Sequence, residues 1–184
     1  MTVTVPPGLK SQTRYFGALV SAILGQQISV KAARSIRARL EALVPAGQEM
    51  TPDLILSLTP EQLRAAGLSR AKALYVVDLA EKVRNGTLDL ALVAEMPDED
   101  VADVLTRVKG IGRWTADMFL IFCLGRCDVL PVGDLGLRAA AQRVYSLSAL
   151  PDPRTLRAIA EPWRPYRSVA TWYLWRSLDN TPAT

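Results

Sequence analysis

Apolar side chains recur along most of this chain at every third or fourth residue, which is the spacing of one face of an α-helix. In the first part of the chain this spacing, with its capping residues, predicts helices over about 10–24, from Ser29 onward, after Thr51-Pro52, after Thr59-Pro60, over 69–84 and over 98–106. No stretch alternates between apolar and polar residues as a half-buried strand does. The pattern therefore predicts an all-α fold.

The second part of the chain contains the most continuous apolar stretch. Residues 114–124 are nearly all apolar and predict a central helix, and residues 125–133 predict a loop. A further helix is predicted to begin near Asp134, and the last to run over about 163–178. With no internal repeat and no linker, the 184 residues predict one domain.

Composition excludes several kinds of catalysis. The chain has no histidine, which removes Ser-His-Asp and Cys-His catalysis as well as histidine-bound zinc. Carboxylates, lysines and hydroxyls remain as candidate reactive groups. The net charge of +4 and the pI near 9.3 are compatible with a polyanionic partner without demonstrating one.

The two cysteines, Cys123 and Cys127, cannot form a zinc or iron–sulfur site that needs four ligands. Because they lie in an apolar stretch, we expect buried, inert thiols in a reduced cytoplasm. The longest apolar run, residues 118–124, is far too short to span a membrane. We therefore expect a soluble cytoplasmic protein with no membrane partner.

The stretch RVKGIGRWTAD, residues 107–117, predicts a turn between two helices. Its two glycines allow positive φ angles and leave backbone amides uncovered, so that a phosphate could bind directly to the main chain. Lys109 and Arg113 would add positive charge beside that phosphate. The alternative interpretation is an ordinary glycine turn between packed helices.

The longer string LTRVKGIGRWTADMFLIF resembles the helix-hairpin-helix DNA glycosylase superfamily, and specifically its 3-methyladenine DNA glycosylase II branch. ILGQQISVKAA is similar to the segment that faces the damaged base in that family. PVGDLGLRAA is similar to the loop of its catalytic aspartate, and EPWRPYRSVATWYLWRSL to its C-terminal signature. Together these stretches span residues 23–178.

The resemblance implies two helical lobes with a DNA-binding cleft, within one helix-hairpin-helix glycosylase domain over residues 1–184. Lobe a is expected over about 25–130, and lobe b over about 1–24 plus 131–184. The larger bacterial members carry an additional N-terminal mixed α/β domain, and this chain is expected to lack it.

The resemblance assigns the catalytic aspartate to Asp134. Breaking an N-glycosidic bond builds positive charge on the sugar, which an ionised carboxylate stabilises, or the carboxylate orients the attacking water. Sequence position alone favours a helix N-cap at Asp134, and the resemblance reverses that preference. Asp117 and Asp128 do not fall where the resemblance places the aspartate.

Trp114 stands where strand-cutting members of the superfamily have a lysine that forms a Schiff base. The resemblance therefore implies a monofunctional enzyme that uses water. Trp114 and Trp175, followed by Trp172 and Tyr173, are candidate walls for a flipped base, with core packing as the alternative. Met118 stands where some relatives have a tyrosine, which implies a roomier pocket.

The resemblance also implies a set of DNA contacts. Gln26 or Gln27 is expected to fill the gap that the flipped base leaves, and a polar turn without DNA contact is the alternative. The other expected contacts are Ser29, Lys109, Gly110, Gly112, Arg113, Thr115 and Arg138. A structural Na⁺ or K⁺ is implied at the carbonyls of Val108 and Ile111, with no catalytic metal and no other cofactor.

The predicted function is a monofunctional DNA glycosylase of base excision repair, acting as a monomer on double-stranded DNA at the bacterial nucleoid. Its expected substrates are 3-methyladenine and 7-methylguanine, extending to 1-methyladenine, 3-methylcytosine and ethenoadenine. The alternatives are a non-catalytic helix-hairpin-helix DNA-binding protein and a bifunctional glycosylase/lyase.

Overall fold

The computed structural model describes residues 10–45 and 49–179, and all regular structure in these two ranges is helical. The predicted all-α fold is confirmed. The chain divides into two compact units, residues 1–112 and residues 113–184. Within the described ranges no helix is long and apolar enough to cross a membrane.

The first unit contains helices α1 (Lys10–Gly25), α2 (Val30–Glu41), α3 (Pro52–Ser57), α4 (Pro60–Ala65), α5 (Arg70–Arg84), α6 (Leu90–Glu95) and α7 (Asp98–Leu105). The predicted caps form: Ser29 Oγ accepts from the amide of Ala32, and Thr59 forms a capping box with Gln62. The short helix α6 was not predicted.

The core of the first unit lies around α1 and α5. Phe16, Leu19 and Ile23 of α1 are fully buried, as are Val76 and Leu79 of α5. The spacing of these residues places them on one face of each helix. Helix α5 packs against α1, α3 and α4, which makes it the central helix of this unit.

The second unit contains α8 (Arg113–Met118), a π-helical segment (Phe119–Cys123), α9 (Leu135–Val144), α10 (Pro153–Ala160), a 3-10 turn (Glu161–Trp163) and α11 (Arg167–Asp179). Helices α9 and α11 pack together over a core of Leu137, Ala141, Leu156 and Leu174. Helix α10 was not predicted from the sequence.

Two predicted helices of this unit were wrong in extent. The apolar stretch is not one α-helix, because the amide of Leu124 donates to the carbonyl of Phe119, five residues back, and this widens the last turn. The final helix begins at Arg167 instead of near residue 163. Pro165 lacks an N–H and restricts Arg164 to an extended conformation, so the helix starts only after it.

The prediction of two buried cysteines was also wrong. Cys123 is half-buried and Cys127 is exposed, and neither forms a disulfide. Cys127 follows Gly125, whose φ of 68° turns the chain away from the preceding segment. An apolar sequence neighbourhood therefore did not imply burial here.

The predicted lobes, a over about 25–130 and b over about 1–24 plus 131–184, stay a prediction. Of lobe b, residues 1–9 and 180–184 lie outside the described residues.

Candidate active site

Asp134 is the N-cap of α9, and its carboxylate binds that helix directly. Oδ1 accepts a hydrogen bond of 2.6 Å from the amide of Leu137, and the amide of Asp134 itself donates to the carbonyl of Pro131. The capping role proposed from sequence is therefore confirmed. The capping hydrogen bond uses one lone pair of Oδ1 and leaves the other lone pairs of the carboxylate for further donors.

Two tryptophans direct their indole N–H groups at the same carboxylate. Trp114 Nε1 donates to Oδ2 at 2.6 Å, and Trp175 Nε1 donates to Oδ1 at 2.8 Å. Trp114 lies in the first turn of α8 and Trp175 in the last part of α11. Three segments distant in sequence thus fix the orientation of the Asp134 carboxylate.

All three donors to Asp134 are uncharged. Among the described residues, no lysine or arginine forms an ion pair with this carboxylate. A carboxylate held only by neutral N–H groups is oriented without being neutralised. Its negative charge therefore remains available to a cationic partner.

Aromatic rings surround this carboxylate. Trp114 is 46% exposed, and Trp175 is half-buried against the core of the second unit. Phe122 lies 6.0 Å from Trp175, with the two ring planes inclined by 21°. Phe122 was missed because it was assigned to a central buried helix; in the π-helical segment it is 60% exposed.

Among the described residues, the other predicted pocket residues form no hydrogen bond with the Asp134 carboxylate. Trp172 and Tyr173 are exposed and pack edge to face with each other at 5.2 Å, and Arg176 covers the Trp172 ring. Met118 is half-buried. Of the C-terminal aromatics in the described ranges, Trp175 is the one that reaches the carboxylate.

The two other candidate aspartates are both paired with arginines. Asp117 is 2% exposed and accepts from Arg113 Nε at 2.9 Å. Asp128 binds Arg167 at 2.7 Å and Arg164 at 3.0 Å, and the hydrogen bonds from Arg167 lower the pKa of Asp128. Both carboxylates serve local structure, and Asp128 fixes the loop before Asp134 to the start of α11.

Gly136 leaves space for this arrangement. A Cβ at this position would lie 3.2 Å from Asp134 Oδ1 and 3.6 Å from the Trp175 ring. The first distance is tighter than most side-chain contacts, so any larger residue would press on the carboxylate. Nothing in the sequence alone identified this glycine.

The predicted glycine turn lies at the end of the first unit. The amide of Ile111 donates to the carbonyl of Val108, and the amide of Lys109 donates to Asp78 Oδ2 at 3.0 Å. Of the two glycines, only Gly110 has a positive φ, at 79°, and a Cβ there would collide with the Tyr75 ring.

Two amides of this turn stay uncommitted. Within the described part of the chain, the N–H groups of Gly110 and Gly112 donate to no protein acceptor. Uncovered amides at a glycine turn suit an anion such as a phosphate. The exposed ammonium of Lys109 lies beside them, 3.6 Å from Asp78.

Asp78 anchors the turn from α5. It is 8% exposed and forms an ion pair of 2.7 Å with Lys82 in addition to its bond with the Lys109 amide. Burial raises the pKa of Asp78, but the hydrogen bonds and charges of Lys82 and Lys109 outweigh this effect and hold it below its usual value. Sequence reasoning missed this residue.

Gln26 and Gln27 have different environments. The Gln26 side chain donates to the carbonyl of Gly110 at 2.7 Å, and the main-chain carbonyl of Gln26 accepts from Lys72 Nζ at 2.8 Å. Gln27 is exposed and adopts a φ of 56°. Hydrogen bonds therefore hold Gln26 within the first unit, whereas the Gln27 side chain projects from the turn between α1 and α2.

The remaining predicted DNA contacts vary in exposure. Ser29 is exposed at the start of α2, Arg113 is paired with Asp117, and Arg138 Nε donates to the carbonyl of Pro151. Thr115 is buried, so its hydroxyl is not presented to solvent. Their contacts with DNA stay predictions.

Several known proteins are similar to this chain in sequence and fold. Residues 20–165 match the HhH-GPD superfamily of base excision DNA repair proteins. DNA-3-methyladenine glycosylase 1 of Schizosaccharomyces pombe is 36% identical over 160 residues, which cover 86% of this chain and 70% of the relative.

Two solved structures are similar over 98% of this chain. A Schizosaccharomyces pombe 3-methyladenine DNA glycosylase in complex with abasic DNA has a TM-score of 0.83, 31% identity and 89% of its own chain covered. A DNA-3-methyladenine glycosidase from Bacillus halodurans has a TM-score of 0.81, 38% identity and 80% covered. The match over most of the sequence and the shared helix-hairpin-helix glycosylase fold show that the chain belongs to the HhH-GPD superfamily of base excision DNA repair proteins.

Proposed function

We propose that this base excision repair enzyme is a monofunctional DNA glycosylase that hydrolyses the N-glycosidic bond of alkylated bases. The observation that carries the proposal is the Asp134 carboxylate, oriented by the N–H groups of Leu137, Trp114 and Trp175 and paired with no cation among the described residues. Relatives named 3-methyladenine DNA glycosylases support the alkylated-base class.

In the proposed reaction Asp134 stabilises positive charge on the sugar. Departure of the base leaves an oxocarbenium-like deoxyribose, and a fixed carboxylate beside it lowers the free energy of that state. The same carboxylate orients a water molecule for attack at the sugar carbon. The products are the free base and an abasic site, with the strand intact.

The aromatic rings select the base. Trp114 and Trp175, with Phe122 stacked on the latter, offer π-faces that attract a base carrying positive charge. 3-Methyladenine and 7-methylguanine are such bases, and both are good leaving groups. The resemblance places a tyrosine of some relatives at position 118, and the methionine there is the basis for extending the proposed substrates to 1-methyladenine, 3-methylcytosine and ethenoadenine.

The position of Trp114 argues against a lyase. An indole has no amine to form a Schiff base with the sugar, and this one is engaged with Asp134. Water is therefore the proposed nucleophile.

DNA is held through its backbone. The uncommitted amides of Gly110 and Gly112, with Lys109 beside them, bind a phosphate, and the projecting Gln27 fills the gap left by the flipped base. A Na⁺ or K⁺ bound by the carbonyls of Val108 and Ile111 would stiffen the turn. The Val108 carbonyl already accepts the Ile111 amide and keeps a second lone pair for an ion.

The deciding experiment uses a panel of duplexes, each with one of the five proposed lesions, and identifies the released base by chromatography. We expect free 3-methyladenine and 7-methylguanine, with strand breaks only after alkali. Binding of DNA with no release of any alkylated base would instead support a non-catalytic DNA-binding protein. Strand cleavage without alkali, or a covalent adduct trapped by borohydride, would support a lyase.

A further inference from the structure

Helix α5 contacts two separate turns of the first unit. Lys72 Nζ donates to the carbonyls of Leu24, in the last turn of α1, and Gln26, just beyond it, at 2.7 and 2.8 Å. Six residues further along the same helix, Asp78 accepts the amide of Lys109 in the glycine turn. At about 1.5 Å per residue, these two contacts lie about 9 Å apart along the helix.

The two turns also contact each other directly. The Gln26 side chain donates to the carbonyl of Gly110 at 2.7 Å, and Lys72 holds the main-chain carbonyl of the same residue. Between Lys72 and Asp78, the ring of Tyr75 occupies the space that a Cβ of Gly110 would need. A continuous connection therefore runs from Lys72 on α5, through Gln26 in the turn between α1 and α2, to Gly110 in the glycine turn.

The Lys72 ammonium has a specific task in this connection. It lies at the C-terminal end of α1, where a cation favours the exposed carbonyls. Partial burial lowers the pKa of Lys72, because removal from water disfavours the charged form. With two carbonyl acceptors in place, the ammonium is compensated by main-chain dipoles instead of by a carboxylate.

We propose that Lys72 is a positioning residue for base flipping, which fixes the distance between the Gln27 side chain and the phosphate-binding glycine turn. This rests on the proposed function, in which Gln27 enters the duplex while Gly110 and Gly112 hold the backbone. Extrusion of a base is productive only if both contacts are made at once. If the turn between α1 and α2 were loosened, the glycine turn would still bind the DNA backbone, but Gln27 would fill the gap in the duplex less well.

The test compares binding to two duplexes that differ at one position, an intact pair or a stable abasic analogue. The full chain is expected to prefer the abasic duplex, because the gap accepts Gln27. Lys72→Met removes a charged donor to two carbonyls, so that this preference falls about tenfold. Affinity for the intact duplex should change by less than about twofold, since the Lys72 ammonium is engaged by two main-chain carbonyls and is not among the proposed phosphate contacts.

Three further variants separate positioning from stability and charge. Arg70→Met removes an exposed charge from the same helix and should leave the preference unchanged. Lys72→Arg keeps a cationic donor and should restore most of it. Gln26→Ala should lower the preference for the abasic duplex. Adding Lys72→Met to Gln26→Ala should lower this preference little further, because both residues act through one connection.

An equal loss of affinity for both duplexes, or a wild-type chain with no preference for the abasic one, would overturn the proposal. Thermal denaturation of each variant identifies any that fails to fold, in which case Lys72→Arg and Gln26→Ala decide. Because these measurements need no base release, they remain distinguishable from a failure of the proposed glycosylase activity.

Discussion

Asp78 in the first unit and Asp134 in the second differ in what balances their charge. Asp78 is buried and faces the ammonium groups of Lys82, at 2.7 Å, and Lys109, at 3.6 Å. Asp134 is half-buried and accepts only from a backbone amide and two indoles. Each carboxylate is fixed in place, but only Asp134 keeps an uncompensated negative charge.

The difference separates structural from chemical use of the same side chain. A carboxylate between two cations gains stability and has little charge left for a substrate. A carboxylate held by neutral donors is fixed at the expense of stability, and its charge acts on whatever cation is placed beside it. The following substitutions exchange or remove these features.

Asp134→Asn should have the largest effect. The amide keeps the capping acceptor but removes the charge, so that base release in single-turnover assays should fall by about a hundredfold to a thousandfold. Binding to an abasic-site duplex should stay within about threefold.

Asp152→Asn is the matched control, because Asp152 also caps a helix of the second unit, through the amide of Thr155 at 2.7 Å. Its base release should equal that of the wild type. Full activity of Asp134→Asn would remove the carboxylate from the mechanism.

Trp114→Lys should give Asp134 the kind of partner that Asp78 has. An ammonium beside the carboxylate would form an ion pair and cancel the charge, so base release should fall about a hundredfold. Trp114→Phe keeps an aromatic ring and introduces no cation, and the loss of one hydrogen bond to a charged acceptor should lower the rate only about tenfold. Both rates are measured under single-turnover conditions.

The informative result is which of these two variants releases the base more slowly. A Lys variant as active as the Phe variant would show that compensation of the charge does not matter. Appearance of strand cleavage in Trp114→Lys would show that an amine at this position can reach the sugar.

The sequence predicted the parts of this comparison that are local. Asp134 follows a loop and precedes a helix, so its capping role could be predicted from a short pattern, and the resemblance of the stretches around Asp134 and Trp114 allowed both residues to be assigned. Asp78 could not be, because its partner Lys109 lies 31 residues further on and meets it only in the folded unit. The exposure of Phe122 could not be predicted either, since it depends on a widened helical turn within an apolar run.

Asp78→Asn should affect stability more than chemistry. It keeps an acceptor for the Lys109 amide but leaves Lys82 without its anion, which should lower the free energy of unfolding by about 1–2 kcal/mol at neutral pH, since Lys82 is partly solvated. Urea denaturation measures this, and base release at saturating DNA should stay within about threefold.

The pH dependence follows from the direction of the shift. The pKa of Asp78 is lower in the folded than in the unfolded chain, so its contribution is complete above the unfolded value of about 4 and is lost as the pH falls through the folded value. The stability difference between wild type and Asp78→Asn should therefore disappear in acid. A difference that persisted there would mean that the charge of Asp78 is not what stabilises the turn.

Gly136→Ala should have the smallest effect and tests how closely Asp134 must be fixed. The added Cβ would lie 3.2 Å from Oδ1, which shifts the carboxylate by a few tenths of an ångström without changing its charge or its donors. Since a displacement of about 1 Å can cost a hundredfold, we expect base release to fall a few-fold. Gly133→Ala, in the loop just before α9, is the matched control, because a Cβ there has no neighbour within 4 Å. If Gly136→Ala kept the full rate of base release while Trp114→Lys lost it, the charge of Asp134 would matter and its exact position would not. Slower base release in both variants would show that the indoles serve catalysis by holding the carboxylate in place.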